Sequence, residues 1–262
     1  EGTLGVITKI VFKLLPLPTN DITMLVPFSS SEKACEAVSE VFREGITPSA
    51  LEFIERDAID WTLRYSDIEM QIPDEVKAHL LVEVDGYDID LLFKDCEKIA
   101  NVMERFDCGE ILLADSNSQK EQLWKIRRLV GEAVKANSIY KEEDTVVPRA
   151  ELAKLLKGVK EIGGKYGFKS VCYGHAGDGN LHVNIIKGEM SDKDWNTKLT
   201  FGIRAIFELT KKLGGTISGE HGIGFVQKGY IDIVLSKKNI EIQKGIKKLF
   251  DPNQILNPGK IF

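Results

Sequence analysis

The chain has 262 residues, 43% of them hydrophobic, which is enough for one large domain or two ordinary ones with a sizeable core. Its 35 basic and 40 acidic residues are spread along the chain and give a net charge of −5, which argues against a nucleic-acid-binding surface. No stretch approaches the roughly 18 consecutive apolar residues that span a bilayer, and no signal-peptide pattern opens the sequence. We therefore expect a cytoplasmic protein, with peripheral membrane association left open.

The first half of the chain predicts a β-α-β-β-α-β series. Two prolines, Pro16 and Pro18, mark a linker, and a run of apolar residues beyond them begins the series. The helices show apolar residues at helical spacing, and Gly45 ends the first of them. The predicted elements are a strand at 22–26, a helix at 31–44, strands near 51–54 and at 79–84, a helix at 91–106 and a strand at 110–114. An inserted segment around 61–65 receives no assignment.

A long helix at 118–137 leads into a second series with the same order. Its predicted elements are a strand at 140–147, a helix at 150–166, strands at 169–174 and 181–186, a helix at 193–213 and a strand near Thr216. A tail follows from 218 to 262, with a helix at 240–250. The sequence therefore predicts an α+β fold in which two ferredoxin-like units, about 21–115 and 140–217, form one large antiparallel sheet covered by helices.

Three of the four histidines lie in two glycine-rich stretches. His175 and His182 belong to Gly-His-Ala-Gly-Asp-Gly-Asn-Leu-His, and His221 belongs to Ser-Gly-Glu-His-Gly-Ile-Gly. A short loop at 176–180 would join two strands as a hairpin and bring the first two imidazoles together. Histidines concentrated among glycines indicate placement for chemistry, because histidine titrates near neutral pH and is costly to bury without a partner.

Two imidazoles and one carboxylate suit Zn²⁺, Mn²⁺ or Fe²⁺, and Glu220 is the obvious third ligand. His182 and Asn184 are two apart in a strand, so both side chains are expected to enter the same pocket. His221 would then point the opposite way or lie deeper. A second interpretation stays open, in which the first motif is only a tight glycine turn whose histidines cap strand ends, with Asp178 as a turn residue.

The remaining histidine and the cysteines have plainer interpretations. His79 lies in an apolar run and is expected to be a strand residue with one hydrogen bond. The four cysteines form no zinc, iron–sulfur or disulfide pattern, which favours a reducing compartment. We expect them to be small buried hydrophobic residues: Cys35, Cys96, Cys108 and Cys172.

The two glycine-rich histidine stretches, together with the terminal Asp-Pro-Asn-Gln-Ile-Leu-Asn-Pro-Gly-Lys, resemble the C-terminal domain of FAD-linked oxidases. The resemblance is to the D-lactate dehydrogenase, glycolate oxidase large-subunit and D-2-hydroxyglutarate dehydrogenase group of the vanillyl-alcohol oxidase superfamily. It implies oxidation of a D-2-hydroxy acid, of the D-lactate or glycolate type, to the 2-oxo acid by hydride transfer to FAD. It also implies that residues 1–18 end a missing FAD-binding domain and linker, that residues 19–262 form the substrate-binding cap domain, and that this fragment alone is inactive.

The resemblance assigns the metal to His175, His182 and Glu220, held against the flavin, and places His221 near the substrate hydroxyl as the catalytic base. Asn184 resembles a substrate-contacting residue of the same pocket. The family's Trp-x-x-Arg corresponds to residues 124–127.

The resemblance further implies that Arg127 clamps the substrate carboxylate and that Lys141 helps it, and a planar guanidinium suits that role. Arg128 is the nearby alternative to Arg127. Some relatives place a hydroxylated residue four positions after the clamp arginine, where this chain has Gly131. That departure favours lactate or glycolate over 2-hydroxyglutarate.

The resemblance extends to the flavin and to partners. Gly2, Thr3 and Gly5 match the residues that close the FAD-binding domain, and Asn257 and Lys260 match the C-terminal segment that covers the isoalloxazine ring. Electrons would pass to a separate acceptor such as an electron-transfer flavoprotein, an iron–sulfur subunit or a quinone. A homodimer is left open, and nucleic acid is not expected as a partner.

Two other functions stay open on the sequence alone. The chain would be a non-redox, metal-dependent carboxylic-acid-binding module if it binds a 2-hydroxy acid without flavin. It would be a metal hydrolase if a metal-bound water attacks the substrate with His221 as base, but the terminal Asn-Pro-Gly-Lys has no role in that chemistry.

Overall fold

A seven-stranded antiparallel sheet organises the computed structural model, which describes residues Glu1 to Phe262. The spatial order of the strands is β4-β1-β3-β2-β6-β7-β5. Their bounds are β1 Asn20–Phe28, β2 Ala50–Glu55, β3 Ala78–Gly86, β4 Leu112–Leu113, β5 Tyr140–Val146, β6 Lys169–Gly174 and β7 Asn180–Ile186.

Eight α-helices accompany the sheet. Five of them begin after a serine or aspartate whose side-chain oxygen accepts a backbone N–H of the first turn, as at Ser30 and Asp88. Their bounds are α1 Ser31–Arg43, α2 Arg56–Tyr65, α3 Ile89–Glu104, α4 Asn117–Asn137, α5 Leu152–Tyr166, α6 Asp192–Lys212, α7 Ile231–Val234 and α8 Lys237–Phe250.

The sheet consists of two ferredoxin-like halves, as predicted. In the first half the strand order is β4-β1-β3-β2. The second half repeats this arrangement, with β5 beside β7, β7 beside β6, and Thr216 bridging to Val146 in the place of the fourth strand. The halves join where β2 pairs with β6, through Phe53 with Gly174 and Ile54 with Tyr173.

The last strand of each half is shorter than predicted. The predicted strand 110–114 pairs only at Leu112 and Leu113, and the predicted strand near Thr216 is a single bridge. In the second half the chain bends directly after this bridge, and the N–H of Gly219 donates to both the backbone carbonyl and the carboxylate of Asp144, at 3.1 and 2.8 Å.

The two faces of the sheet carry different layers. Helices α1, α3, α5 and α6 cover the first face over a core of 40 buried residues. Strand β7 shows the alternation, since Leu181, Val183 and Ile185 enter this core while His182 and Asn184 point to the second face.

Helices α2 and α4 pack over part of the second face in a smaller apolar cluster that includes Ile54, Val130 and Tyr173. The segment around 61–65, left unassigned from the sequence, belongs to α2. None of the helices is long and apolar enough to cross a membrane. The part of the second face that these helices leave uncovered carries the polar side chains described below.

His79 lies in β3 and is buried, with 4% of its surface exposed. The strand assignment is confirmed, but the expected hydrogen bond is not found, because its Nδ1 has no partner. Burial lowers the pKa of His79 from 6.5 to about 4, so the folded protein keeps this imidazole neutral.

Protonation of the unfolded chain makes this histidine a source of acid sensitivity. Between pH 6.5 and 4 this histidine binds a proton in the unfolded chain but not in the folded protein. The free energy of unfolding therefore decreases as the pH is lowered. We expect the wild type to lose about 3 kcal/mol more than His79→Gln between roughly pH 7 and pH 4, measured by urea unfolding. Equal losses in the two proteins would contradict the burial argument.

Candidate metal and substrate site

The first glycine-rich stretch forms the predicted hairpin. Strands β6 and β7 pair through Tyr173 and His182, and a single 3₁₀ turn at Ala176–Asp178 connects them. The N–H of Asn180 donates to the carbonyl of His175 at 3.1 Å and closes the turn. The rings of His175 and His182 consequently lie edge to face, with centroids 5.8 Å apart.

Asp144 ties the second glycine-rich stretch to this hairpin. One carboxylate oxygen, Oδ2, accepts the backbone N–H groups of Gly219, Glu220 and His221 at 2.8, 2.8 and 2.9 Å. The other, Oδ1, accepts the side-chain amide of Asn180 at 2.6 Å. Burial alone would raise the pKa of Asp144, but these N–H donors lower it below its ordinary value, so the carboxylate stays ionised.

The predicted metal ligands converge. Glu220 Oε1 lies 3.8 Å from His175 Nε2 and 3.6 Å from His182 Nε2. The expectation that His221 points away or lies deeper is wrong, because its residue sits in a loop where strand alternation does not apply. Its ring stacks on His182 at 5.2 Å, and its Nε2 is 3.8 Å from the same oxygen of Glu220.

The other nitrogen of each hairpin histidine faces a carboxylate. His175 Nδ1 is 2.8 Å from Glu52 Oε1, and His182 Nδ1 is 3.4 Å from Glu142 Oε1. Metal-binding histidines commonly present one ring nitrogen to the ion and the other to such a partner. This arrangement leaves both Nε2 atoms toward Glu220, so the donor set fits a divalent cation.

The two hairpin imidazoles differ in basicity. The hydrogen bond with Glu52 raises the pKa of His175, whereas burial lowers the pKa of His182 to about 4. A second set of residues, Glu142 with His182 and His221, also brings ligand atoms within 4.8 Å of one another. Both sets include His182, so they overlap in one cluster of side chains.

Arg127 reaches this cluster from α4. Its Nε donates to Glu52 Oε2 at 2.7 Å, and its guanidinium lies 5.0 Å from the ring centre of Tyr173. Burial alone would raise the pKa of Glu52, but the hydrogen bond from His175 and the charge of Arg127 lower it. Arg128, the alternative, is exposed and pairs with Glu121 instead.

Asn184 lies on the same face of β7 as His182, fully buried, and neither atom of its amide has a hydrogen-bond partner. A buried amide without partners is rare in folded proteins and calls for an explanation, of which a bound group is one. Lys141 does not join the cluster. It pairs with Ile185 across β5 and β7, which places it on the first face of the sheet, whereas Glu142 pairs with Asn184 on the second.

Three carboxylates of this site were not singled out from the sequence: Glu52, Glu142 and Asp144. The signal for Glu52 was a lone acid inside the apolar strand Ala-Leu-Glu-Phe-Ile. The signal for Glu142 and Asp144 was their two-residue spacing, which matches that of His182 and Asn184 on the neighbouring strand.

The chain termini meet beside the second glycine-rich stretch. Glu1 accepts the N–H groups of Ile223 and Gly224 at 2.8 and 2.7 Å, and Asn257 Nδ2 donates to the carbonyl of Gly2 at 3.0 Å. The carbonyl of Thr3 accepts from Lys247 at 2.6 Å.

The other two residues predicted to contact the flavin lie near these. The N–H of Lys260 donates to the carbonyl of Asn257 at 3.3 Å, so Lys260 adjoins the meeting point of the termini. Gly5 is exposed, and nothing lies within 4 Å of its Cβ position. Gly2, Thr3, Asn257 and Lys260 are thus brought together beside the loop that carries Glu220, and no contact joins Gly5 to them.

Comparison with known protein families identifies the family of this chain. The model of the family "FAD linked oxidases, C-terminal domain" matches residues 17–261. The chain belongs to this family. Its members include the group whose motifs the sequence resembles, so that prediction is confirmed.

Curated relatives match the whole chain. A D-lactate dehydrogenase of Anaerostipes hadrus is 32% identical and the glycolate oxidase subunit GlcD of Bacillus subtilis is 35% identical, each over 100% of this chain. A D-2-hydroxyglutarate dehydrogenase of Stutzerimonas stutzeri is 31% identical. The chain spans 56%, 55% and 57% of these three proteins, slightly more than half of their lengths.

Solved structures support the fold. The alignment with p-cresol methylhydroxylase covers 95% of this chain and 54% of the methylhydroxylase chain, with a TM-score of 0.69 and 14% identity. Alkyldihydroxyacetonephosphate synthase aligns with 98% of this chain and 48% of its own, with a TM-score of 0.62 and 15% identity.

Gly179 is required by the hairpin geometry. Its φ is +74°, and a Cβ there would lie 2.0 Å from the carbonyl oxygen of Val147. We expect Gly179→Ala to lower the free energy of unfolding by at least about 2 kcal/mol, measured by urea denaturation. Gly164→Ala in α5 is the control, since nothing lies within 4 Å of its Cβ position, and it should be neutral or stabilising. Similar stabilities for the two variants would refute this assignment.

Proposed function

We propose that this chain is the substrate- and metal-binding part of a flavin-dependent dehydrogenase that oxidises a D-2-hydroxy acid, of the D-lactate or glycolate type, to the 2-oxo acid. The observation that carries the proposal is the convergence of His175, His182 and Glu220 beside His221 and Arg127. The family membership and the names of the relatives support the same chemistry.

The substrate would be held by its carboxylate. Arg127 Nε donates to Glu52, whereas Nη2 lies 2.7 Å from the same oxygen without forming a hydrogen bond and Nη1 forms none within the chain, so the edge with Nη1 and Nη2 would serve a ligand. The amide of Asn184, buried and without partners, supplies a further donor and acceptor in the same pocket. Together they orient a small 2-hydroxy acid.

His175, His182 and Glu220 would hold a divalent cation, Zn²⁺, Mn²⁺ or Fe²⁺. When bound, the cation acidifies a coordinated hydroxyl, and FAD accepts the hydride from the α carbon. His221 takes the hydroxyl proton, because its imidazole lies beside Glu220 at 3.8 Å and remains half exposed toward the open side of the site.

The division of the chain follows the same proposal. Residues 1–18 would end an FAD-binding domain and linker, and residues 19–262 would form the cap domain. The family match begins at residue 17, and the first strand begins at Asn20. Gly2, Thr3, Gly5, Glu220, Asn257 and Lys260 would contact the flavin, and a separate acceptor, an electron-transfer flavoprotein, iron–sulfur subunit or quinone, would reoxidise it.

The catalytic base is tested by His221→Ala in the full-length protein loaded with FAD and metal. Loss of a general base slows a proton transfer by about 10²- to 10⁴-fold, while substrate binding depends on Arg127 and Asn184. We expect flavin reduction, followed by rapid mixing with D-lactate, to slow by at least about 100-fold with a much smaller change in substrate Kd. Unchanged reduction would remove His221 from this role.

The same preparation separates the proposed function from the alternatives. A panel of D- and L-2-hydroxy acids should include a D acid that bleaches the flavin. Binding of these acids without bleaching, in the wild type, would favour the non-redox binding module instead.

The ligand assignment is tested by metal content. We expect His175→Ala and Glu220→Ala to lose most of the bound metal, measured by elemental analysis of purified full-length protein, because each removes one of three ligands. Glu142→Gln is the matched variant and should keep it. The opposite pattern, metal lost with Glu142→Gln but retained with His175→Ala, would assign the ion to Glu142, His182 and His221.

A further inference from the structure

The proposed site is rich in carboxylates. Four of them face it, those of Glu52, Glu142, Asp144 and Glu220, against the guanidinium of Arg127 and the divalent cation proposed above. Glu52 is matched by Arg127 and His175, Asp144 by backbone N–H groups, and Glu220 belongs to the proposed metal triad. Glu142 faces His182 Nδ1, but no arginine, lysine or backbone N–H group compensates its charge.

No lysine or arginine contacts Glu142. The basic side chain nearest in sequence, Lys141, lies on the opposite face of β5, and the protein groups that approach the carboxylate are His182 Nδ1 at 3.4 Å and the hydroxyl of Tyr173 at 3.5 Å. Burial and the charge of Glu142 raise the pKa of Tyr173 to about 12, so this hydroxyl keeps its proton and donates.

Glu142 lies within a substrate's length of the proposed base. Ligand atoms of Glu142, His182 and His221 fall within 4.8 Å of one another. Asn184, with its partnerless amide, is the direct cross-strand neighbour of Glu142. With the reacting hydroxyl at the triad of the proposed function, Glu142 is among the groups close enough to meet a substituent on the next carbon.

The adjoining wall is tightly packed. A Cβ at Gly131 would lie 3.3 Å from the hydroxyl oxygen of Tyr173, so that hydroxyl occupies the space that a longer residue would need. This end of the pocket is thus lined by a hydroxyl, an amide and a carboxylate, and its cation, Arg127 beside the ring of Tyr173, is assigned to the first carboxylate by the proposed function.

We propose that Glu142 determines substrate specificity by rejecting 2-hydroxy acids with a second carboxylate and admitting those whose far end is uncharged or carries a hydrogen-bond donor. This inference rests on the proposed function. Placing like charges together without a cation between them is strongly unfavourable in a partly desolvated site, and such repulsion is a common way to exclude a wrong ligand.

The test compares D-lactate with D-2-hydroxyglutarate in the full-length protein loaded with FAD and metal. Glu142→Gln keeps the shape and removes the charge, and Glu142→Lys reverses it. We expect the ratio of kcat/KM for D-2-hydroxyglutarate over D-lactate to rise by at least about 10-fold in Glu142→Gln and further in Glu142→Lys. Glu189→Lys, an equal charge change on an exposed turn, is the control and should leave the ratio unchanged.

A second readout needs no turnover. The Kd ratio for the oxo acids pyruvate and 2-oxoglutarate, measured by titration calorimetry, should shift in favour of 2-oxoglutarate by a similar factor in both Glu142 variants. Ratios within about twofold of the wild type in Glu142→Gln, or a wild type that prefers the dicarboxylates, would overturn the inference. If no acid bleaches the wild-type flavin, the proposed function fails, and the Kd ratio still decides the role of Glu142.

Discussion

The site depends on the buried carboxylate of Asp144. It stands at the end of β5 and collects three consecutive backbone N–H groups from the loop that carries Glu220 and His221. The other contacts of this loop include the stacking of His221 on His182 and the N–H groups that Ile223 and Gly224 donate to Glu1. Gly219 is part of the same constraint, because a Cβ there would lie 2.5 Å from the side-chain nitrogen of Asn180.

The other carboxylates divide the remaining work. Glu52 links an imidazole of the hairpin to the guanidinium of α4, so the proposed metal ligand His175 and the proposed carboxylate clamp Arg127 are oriented by one group. Glu142 faces the remaining nitrogen of His182. Each imidazole thereby presents the same ring nitrogen to Glu220, which is how outer partners usually direct metal-binding histidines.

Much of the fold was predictable from residue patterns. The repeated element order, the antiparallel sheet and the hairpin between His175 and His182 follow from period-two alternation and glycine-rich turns. The failures have physical causes. Strand β5 reads Tyr-Lys-Glu-Glu-Asp, which is polar on both faces, so no apolar alternation distinguishes the face of Lys141 from that of Glu142.

Other contacts are remote in sequence. Glu52 meets His175 across 123 positions, and Asp144 meets the loop at 219–221 across 75 to 77 positions. No local sequence pattern predicts such pairings, because they form only when distant segments of the chain come together in the folded sheet. The orientation of His221 was missed for a related reason, since loop residues follow no fixed alternation.

The seam between β2 and β6 joins the halves through only two residue pairs, yet the Glu52–His175 contact crosses it. Neither half therefore contains the whole contact. The first half supplies the carboxylate of Glu52, and the second half supplies the imidazole of His175 that this carboxylate orients. A small shear along this seam would move Glu52, and the arginine bound to it, relative to His175 and the Glu220 loop, which both belong to the second half. This short seam therefore couples the position of the proposed carboxylate clamp to that of the proposed metal ligands.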